Sequence, residues 1–173
     1  MNKLILLIIL PGFFIACGPA ARVVRVPDEY RSWKKTVDKI LDYPIAGHGQ
    51  SFRIIYINSI GEKVTPLEKD GRMTYDYPDG TIIVKEVYPS QEDLDKNVPG
   101  MLTCMVKDSQ SPQAINGWLW IVKTPGDPAE NVFTSKFCLE CHLDANESHS
   151  LGAGNINEEF RDYVFFPYTS SAK

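Results

Sequence analysis

The sequence predicts an α+β domain that consists mostly of antiparallel β-sheet with a few helices. Several short segments are rich in β-branched and aromatic residues and are separated by turn signals such as Asp79-Gly80 and Asn116-Gly117. Only two stretches carry features of helices. At 173 residues the chain is long enough for one such domain with a proper core, and too short to expect two.

The predicted elements follow one another along the chain with short connections. Strands are predicted at 52–58, 81–88, 101–106 and 118–122. A last short strand is predicted at 163–166, just before a proline. Apolar residues at helical spacing predict a helix over 28–44, and a proline suited to the first helical position predicts a second over 128–137. Two connecting segments are predicted to be irregular, 59–78 and 89–99.

The first 16 residues have the organisation of a secretory signal peptide. Lys3 supplies a positive charge, and the unbroken apolar run over 4–10 is too short to span a bilayer. Residues 14–17, Phe-Ile-Ala-Cys, resemble a bacterial lipobox and predict lipidation of Cys17. Ordinary secretory cleavage after a nearby alanine is the alternative. We therefore expect an exported, periplasmic protein that only a lipid anchor attaches to the membrane.

These features divide the chain into three parts. The boundaries that we expect are a signal peptide at 1–16, a tether at 17–27 and a folded domain at 28–173.

Composition excludes two broad classes of protein. Hydrophobic residues make up 43% of the chain and charged residues 23%, which is ordinary for a globular domain and argues against extensive disorder. The formal net charge is −4, and no cluster of lysines and arginines is present. Because binding to phosphate backbones requires such clusters, we expect no nucleic-acid partner.

Residues 138–142 read Cys-Leu-Glu-Cys-His, the pattern of a c-type haem attachment site. Cys138 and Cys141 lie on one turn and can each reach a vinyl group on the same haem edge, while His142 is carried beneath the iron as its ligand. A zinc site would need a second Cys/His pair, and a thioredoxin-like redox pair would need a βαβ context. A structural disulfide would suit an oxidising compartment. Since haem attachment requires export, which the N-terminus independently predicts, we expect one covalent haem c with its iron.

The sixth position on this iron has no obvious ligand in the sequence. No methionine follows His142, and His149 is too close in sequence to reach the opposite face. Upstream candidates remain formally available: His48, Met73, Met101 and Met105. We expect a five-coordinate iron with an open distal face, which suits binding or transformation of a small molecule better than electron transfer.

Several segments match a known family in order along the chain. The specific part is Pro-Asp-Gly-Thr at 78–81 with Val-Lys-Glu at 84–86, combined with a haem motif close to the C-terminus. Supporting segments lie at 29–33, 53–58, 106–109, 116–118 and 166–167. In these features the sequence resembles the cytochrome P460 family and its close relatives, the β-sheet cytochromes c′.

The resemblance implies a homodimeric, mostly antiparallel β fold around a haem c. In the P460 enzymes a lysine bonds covalently to the porphyrin edge, and the matching position here is Lys85. Arg53 matches an arginine near the haem. These enzymes oxidise hydroxylamine with nitric oxide, give nitrous oxide, and use a distal carboxylate, whereas Thr103 stands in one candidate position for that acid. The cytochrome c′ relatives lack the cross-link, have an apolar distal pocket and bind nitric oxide or carbon monoxide.

Three functions follow from these observations. The first is an oxidoreductase of the P460 type that acts on hydroxylamine or nitric oxide and passes electrons to a separate cytochrome. In it, Lys85 and Arg53 are the candidate catalytic residues, and Lys85 also binds the cofactor. The second is a non-enzymatic gas-binding cytochrome c′ of the β type. The third is an electron-transfer cytochrome c, which would need a sixth ligand on the iron.

The residue pattern of the strands bears on the roles of Lys85 and Arg53 independently of the family resemblance. In strand 81–88, each face is mainly apolar with one charge, so Lys85 or Glu86 should point toward the interior or a cofactor. An edge strand with both charges in solvent is the alternative. Arg53 is either a surface arginine at a strand end or a cation beside a haem propionate.

Three other side chains near these motifs are candidates for lesser roles. Cys104 lies in an apolar strand and is expected to be an inert buried thiol. Asp144 and Glu147 are the acids that follow the haem motif most closely, and a proton relay through either is a minor possibility beside ordinary solvation.

Overall fold

In a computed structural model of the chain, the described residues are 25–45, 51–148 and 154–165. The predicted signal peptide, the lipidation site at Cys17, both His48 and His149, and the terminal segment from residue 166 lie outside these ranges. No helix among the described residues is long and apolar enough to cross a membrane.

The fold is a six-stranded antiparallel sheet with the strand order β1-β2-β5-β6-β7-β8, accompanied by a separate hairpin of β3 and β4. Two short α-helices and three 3₁₀ turns connect or cover the strands. This architecture confirms the predicted α+β class. The strands are β1 Lys34–Lys35, β2 Phe52–Ile57, β3 Leu67–Lys69, β4 Arg72–Thr74, β5 Ile82–Tyr88, β6 Met101–Lys107, β7 Trp118–Lys123 and β8 Glu130–Phe133. The α-helices are α1 Gln91–Asp95 and α2 Phe137–Leu143, and the 3₁₀ turns are Asp28–Ser32, Gly61–Lys63 and Asp144–Asn146.

The four long strands predicted from β-branched patterns are all present, within one or two residues of the predicted ends. Several helical or irregular predictions are wrong. The helix predicted over 28–44 is a 3₁₀ turn at Asp28–Ser32 followed by strand β1. The reason is tertiary, because the N–H of Thr36 donates to the carbonyl of Ile55 and draws this segment along the edge of β2.

The helix predicted over 128–137 is also wrong. Residues Glu130–Phe133 form β8, which pairs with β7, and the helix begins only at Phe137. An available sheet edge outweighs the local preference for helix after a proline. The predicted strand over 163–166 is wrong in its described part, since Asp162 and Tyr163 have φ of 48° and 69° and interrupt any extended strand.

The two segments predicted to be irregular contain short regular elements. The β3–β4 hairpin turns at Asp70 and Gly71, both with positive φ, as a tight type I′ connection requires. Helix α1 begins after Ser90, whose hydroxyl accepts a hydrogen bond of 3.1 Å from the N–H of Asp93.

The pleat of the large sheet separates two apolar clusters. One face, here called the cavity face, carries Ile57, Ile83, Met105, Trp118 and Trp120 and packs against Leu139 of α2. The opposite face carries Tyr56, Val84, Leu102, Leu119 and Ile121 and is covered by Val26 and Tyr30 of the N-terminal segment. Side chains alternate between the faces because successive residues of a strand point in opposite directions.

Strand β5 lies in the interior of the sheet between β2 and β6, and its two central residues are both charged. Lys85 is aligned with Ile55 and Thr103 on the cavity face, and Glu86 is aligned with Ile54 and Leu102 on the opposite face. The alternative of an edge strand with both charges in solvent is therefore wrong.

Glu86 is fully buried and is surrounded by hydrogen-bond donors. One carboxylate oxygen accepts from the hydroxyl of Tyr30 at 2.7 Å and from Nε of Arg31 at 2.6 Å. The other accepts from the hydroxyls of Tyr88 at 2.7 Å and Tyr56 at 3.3 Å. This network ties the N-terminal 3₁₀ turn to the centre of the sheet, because two of the donors lie on that turn.

We predict that Glu86→Gln lowers the free energy of unfolding by about 3 kcal/mol, since it leaves Arg31 without its carboxylate and replaces an acceptor oxygen with an NH₂ donor. Urea unfolding followed by circular dichroism measures this loss. The matched control is Glu92→Gln on α1, where Glu92 pairs with Lys96 in solvent and its removal should change stability by less than about 0.5 kcal/mol. Equal effects of the two substitutions would contradict the assignment.

Candidate functional site

The three residues of the haem motif lie together on α2. Cys138, Cys141 and His142 are spaced at i, i+3 and i+4, which places them on one side of the helix. Leu139 is buried in the cavity-face cluster and holds the helix against the sheet. Both thiols are half-buried and unbridged, and burial raises the pKa of the Cys138 thiol. The helix therefore presents two thiols and an imidazole to the same space.

The ring of His142 is held in one orientation. Its Nδ1 lies 2.8 Å from the carbonyl oxygen of Tyr163, and the ring packs edge-on against Trp120 and Phe165 with centroid distances of 4.8 and 5.3 Å. With Nδ1–H donating to a carbonyl, Nε2 is the nitrogen that carries the metal-binding lone pair. This is the arrangement that an axial iron ligand requires.

The motif opens onto a cavity of about 330 Å³ between α2 and the cavity face of the sheet. This volume is in the range of small-molecule and cofactor sites, and the lining is mostly apolar, as such sites usually are. Cys138, Cys141 and His142 all line it. Apolar residues from the sheet and the N-terminal segment complete much of the wall: Leu41, Ile45, Ile55, Ile83, Val122 and Phe133.

Lys85 also lines this cavity and is half-buried. Loss of solvation in the apolar surroundings, together with the smaller effect of the positive charge of Arg53, lowers the pKa of its amine to about 7. Thr103 stands directly across from Lys85 in the sheet register and also lines the cavity. The structure therefore brings the lysine singled out by the sequence into the same cavity as the haem motif.

Arg53 is only 1% exposed, so its alternative as a surface residue is wrong. Nη2 donates to the carbonyl oxygen of Tyr43, and the guanidinium carbon lies 4.9 Å from the centre of the Tyr43 ring. Within the described part of the chain, Nε and Nη1 have no hydrogen-bond partner. Burial lowers the pKa of this guanidinium, although its usual value is high enough to keep it charged.

These observations test whether a haem fits the site. A covalent haem c needs two thiols on one turn, an axial ligand beside them, an apolar cavity and cations for its propionates. The unsatisfied donors of Arg53 supply a buried cation that faces the cavity, and the other requirements are met by α2 and the sheet. The residues present therefore fit a haem.

The remaining candidate residues divide between the cavity and the surface. Met101 and Met105 line the cavity, whereas Met73 is exposed on β4 outside its wall. Asp144 reaches the cavity wall but is exposed, and Glu147 is exposed outside it. Among the described residues, no carboxylate is buried within the cavity wall.

Cys104 packs within the cluster on the opposite face of the sheet. Burial raises the pKa of its thiol to about 12, in keeping with the predicted inert thiol.

Sequence reasoning missed three contributors to the site. Trp120 could have been found by extending the strand alternation from Trp118, which places both on one face. The role of Tyr43 was not predicted, because its segment was expected to be helical. The role of the Tyr163 carbonyl could not be predicted from the sequence, because every residue has a main-chain acceptor whatever its side chain.

Comparison with known proteins agrees with this geometry. The sequence model of the cytochrome P460 family matches residues 27–166, which is most of the chain. No curated protein sequence shows significant similarity. Since the match includes the sheet, the cavity and α2, the chain belongs to the cytochrome P460 family, whose members bind a covalent haem c with iron, and is a haem c cytochrome of the P460 type.

Proposed function

We propose that the protein is an exported mono-haem cytochrome with an open distal face that acts on hydroxylamine or nitric oxide. The observation that carries this proposal is the convergence of Lys85 with Cys138, Cys141 and His142 on one cavity. Lys85 brings an amine to the wall of the cavity onto which the haem motif opens. An amine at this place can modify the edge of the macrocycle.

In this proposal α2 anchors the cofactor. Cys138 and Cys141 would form the thioether bonds to the haem vinyl groups, and Nε2 of His142 would ligate the iron. When bound, the haem supplies the redox-active iron that exchanges electrons with the nitrogen substrate. Arg53 has two buried donor nitrogens that could hold a propionate by charge-assisted hydrogen bonds.

Lys85 is the residue that would bond to the porphyrin edge, where a C–N bond would replace a ring C–H bond, two protons would be released and a two-electron oxidant such as a peroxide would be reduced. Only a neutral amine is a nucleophile, and a pKa of about 7 makes a large share of the Lys85 side chains neutral at physiological pH. An ordinary lysine, with a pKa near 10.4, would be almost entirely protonated there. By lowering the pKa of Lys85, the apolar cavity increases the share of neutral, nucleophilic amine.

A specific observation supports the gas-binding alternative. The described part of the cavity wall has no buried carboxylate that could move protons to and from hydroxylamine. A mostly apolar pocket suits reversible binding of nitric oxide or carbon monoxide. The electron-transfer alternative would require Met101 or Met105, which both line the cavity, to occupy the sixth position on the iron.

Export, the lipid anchor at Cys17, a homodimeric assembly and a separate cytochrome as electron acceptor belong to the same proposal. The support is the N-terminal sequence for the first two and the family resemblance for the others.

We predict that the wild-type protein retains haem after denaturation and exceeds the mass of its processed polypeptide by one haem. Cys138→Ser combined with Cys141→Ser should abolish this staining completely, because both thioether bonds are lost. Haem-stained denaturing gels and mass spectrometry provide the measurement. Cys104→Ser serves as the control and should keep its haem, since Cys104 packs on the opposite face of the sheet. A colourless wild type from a host with working haem-attachment machinery would overturn the proposal.

We predict that Lys85→Leu separates the enzyme from the gas binder. If Lys85 is bonded to the porphyrin, the ferrous wild type has a strongly red-shifted Soret band, and the variant returns an ordinary c-type spectrum. Hydroxylamine oxidation should then fall at least 100-fold while nitric oxide binding is kept. Absorption spectra and turnover assays measure both. An ordinary wild-type spectrum without hydroxylamine turnover would establish the gas-binding alternative instead.

We predict that Lys85 in the folded, haem-free chain reacts with an amine-acylating reagent at half its maximal rate near pH 7, because its pKa lies there. In urea the same residue should need a pH near 10.4, the pKa of a solvated lysine. Peptide mass spectrometry across pH measures both profiles, and circular dichroism verifies the fold. The folded state therefore binds fewer protons than the unfolded state between about pH 7 and 10, so this residue makes stability rise with pH over that window. Identical profiles in buffer and in urea would contradict the assigned environment.

A further inference from the structure

Two consecutive residues beside the haem motif have a left-handed backbone. Asp162 has φ of 48° and Tyr163 has φ of 69°, and neither is a glycine. Such conformations cost free energy and persist where the surrounding structure holds them in place. The carbonyl of Tyr163, at the end of this turn, is the one that accepts the hydrogen bond from Nδ1 of His142.

The carboxylate of Asp162 makes the hydrogen bonds that hold this turn in place. Asp162 is 3% exposed, and its carboxylate accepts from three residues that are distant from one another in the chain. One oxygen accepts from Nζ of Lys107 at 2.7 Å and from the N–H of Tyr77 at 3.2 Å. The other accepts from Nε1 of Trp118 at 3.2 Å. Lys107 ends β6, Trp118 begins β7 and Tyr77 lies in the segment between β4 and β5, so the turn is attached to the large sheet.

The main donors to Asp162 are themselves constrained. Nζ of Lys107 lies 5.0 Å from the centre of the Trp118 ring, in a cation–π contact. A Cβ at Gly117 would stand 3.3 Å from Nζ and Cε of Lys107, and Gly117 has φ of 80°. Glycine at this position therefore leaves the lysine room to reach Asp162.

A second contact joins the turn to the far end of the haem-motif helix. Oδ1 of Asn146 accepts from the N–H of Arg161 at 2.8 Å and from the N–H of Tyr163 at 3.3 Å. Asn146 ends the 3₁₀ turn that continues α2. Asn146 thus joins the turn that carries the Tyr163 carbonyl to the segment that carries His142. Asp162 joins the same turn to the sheet.

We propose that Asp162 is a positioning residue that, held by Lys107 and Trp118, fixes the Tyr163 carbonyl on Nδ1 of His142 and so sets the donor strength of the imidazole toward the iron. The inference rests on the proposed role of His142 as the axial ligand. A hydrogen bond from Nδ1–H raises the basicity of the other ring nitrogen, and second-shell hydrogen bonds are among the levers that set haem potentials.

The test is Asp162→Asn in the holoprotein. Asparagine tolerates the left-handed conformation and has the same size, so the backbone preference is preserved while the ion pair with Lys107 is lost. With a weaker carbonyl contact, the ferrous Fe–His stretching band should shift to lower frequency in resonance Raman spectra. The reduction equilibrium should move about tenfold toward the ferrous form, which is about 59 mV for a one-electron couple.

Two further variants complete the design. Lys107→Gln removes the ion pair from its other end and should shift both quantities in the same direction but less, which keeps the test decisive if Asp162→Asn does not fold. The matched control is Glu130→Gln, another carboxylate-to-amide change, on a residue that binds the N–H groups of Arg25 and Val26 on the opposite face. It should leave the Fe–His band and the potential unchanged.

The outcomes distinguish this inference from the proposed function. Folded, haem-bearing Asp162→Asn or Lys107→Gln with the wild-type band and potential would overturn the inference alone. Equal shifts in Glu130→Gln would also overturn it, because they would show a general loss of stability. A wild type without covalent haem would overturn the proposed function and this inference with it.

Discussion

Two adjacent charged residues on an interior strand dictate how both faces of the sheet are covered. Lys85 and Glu86 are neighbours on β5, and β5 has β2 on one side and β6 on the other. Neither side chain can turn around a sheet edge into solvent, and the pleat sends them to opposite faces. Each face must therefore accommodate a charge in apolar surroundings, and the two faces do so in different ways.

The face that carries Glu86 accommodates its charge with protein groups. Three tyrosine hydroxyls and the guanidinium of Arg31 satisfy the carboxylate, and this requires the N-terminal segment to lie across the sheet. The same segment is held nearer its start by Glu130, which accepts hydrogen bonds from the main-chain N–H groups of Arg25 and Val26. Breaking a buried network of this kind is costly, because it leaves charged or polar groups desolvated.

The face that carries Lys85 accommodates its charge by leaving a cavity. Arg53 is buried in the same wall, and the described part of the cavity has no buried carboxylate. Lost solvation, with a smaller effect from the charge of Arg53, lowers the pKa of Lys85. Two donor nitrogens of the arginine have no hydrogen-bond partner among the described residues. An anionic, apolar and planar cofactor such as haem relieves both effects, and for this reason the cavity and the haem motif belong to one design.

Features whose chemistry is local could be predicted from consecutive residues alone. The spacing of Cys138, Cys141 and His142 predicted haem c whatever surrounds it, since one helical turn brings the three groups together. Strand patterns predicted the four long strands because period-two alternation is carried by consecutive residues. The family resemblance, now supported by the match over 27–166, also came from contiguous segments.

Features that depend on partners distant in the chain could not be predicted in this way. Local patterns predicted helices at 28–44 and 128–137, but both segments contain strands. The sheet edges supply backbone hydrogen bonds that outweigh the local preference for helix. The strand pattern indicated that Lys85 or Glu86 should point inward, but not that Glu86 is fully buried on one face while Lys85 lines a cavity on the other. The contact between His142 and Tyr163 is made by a main-chain carbonyl, and its position is set by Asp162 through residues 44 to 85 positions away in the chain. Side-chain identity specifies chemistry locally, whereas burial and hydrogen-bond partners are settled only when the chain closes on itself.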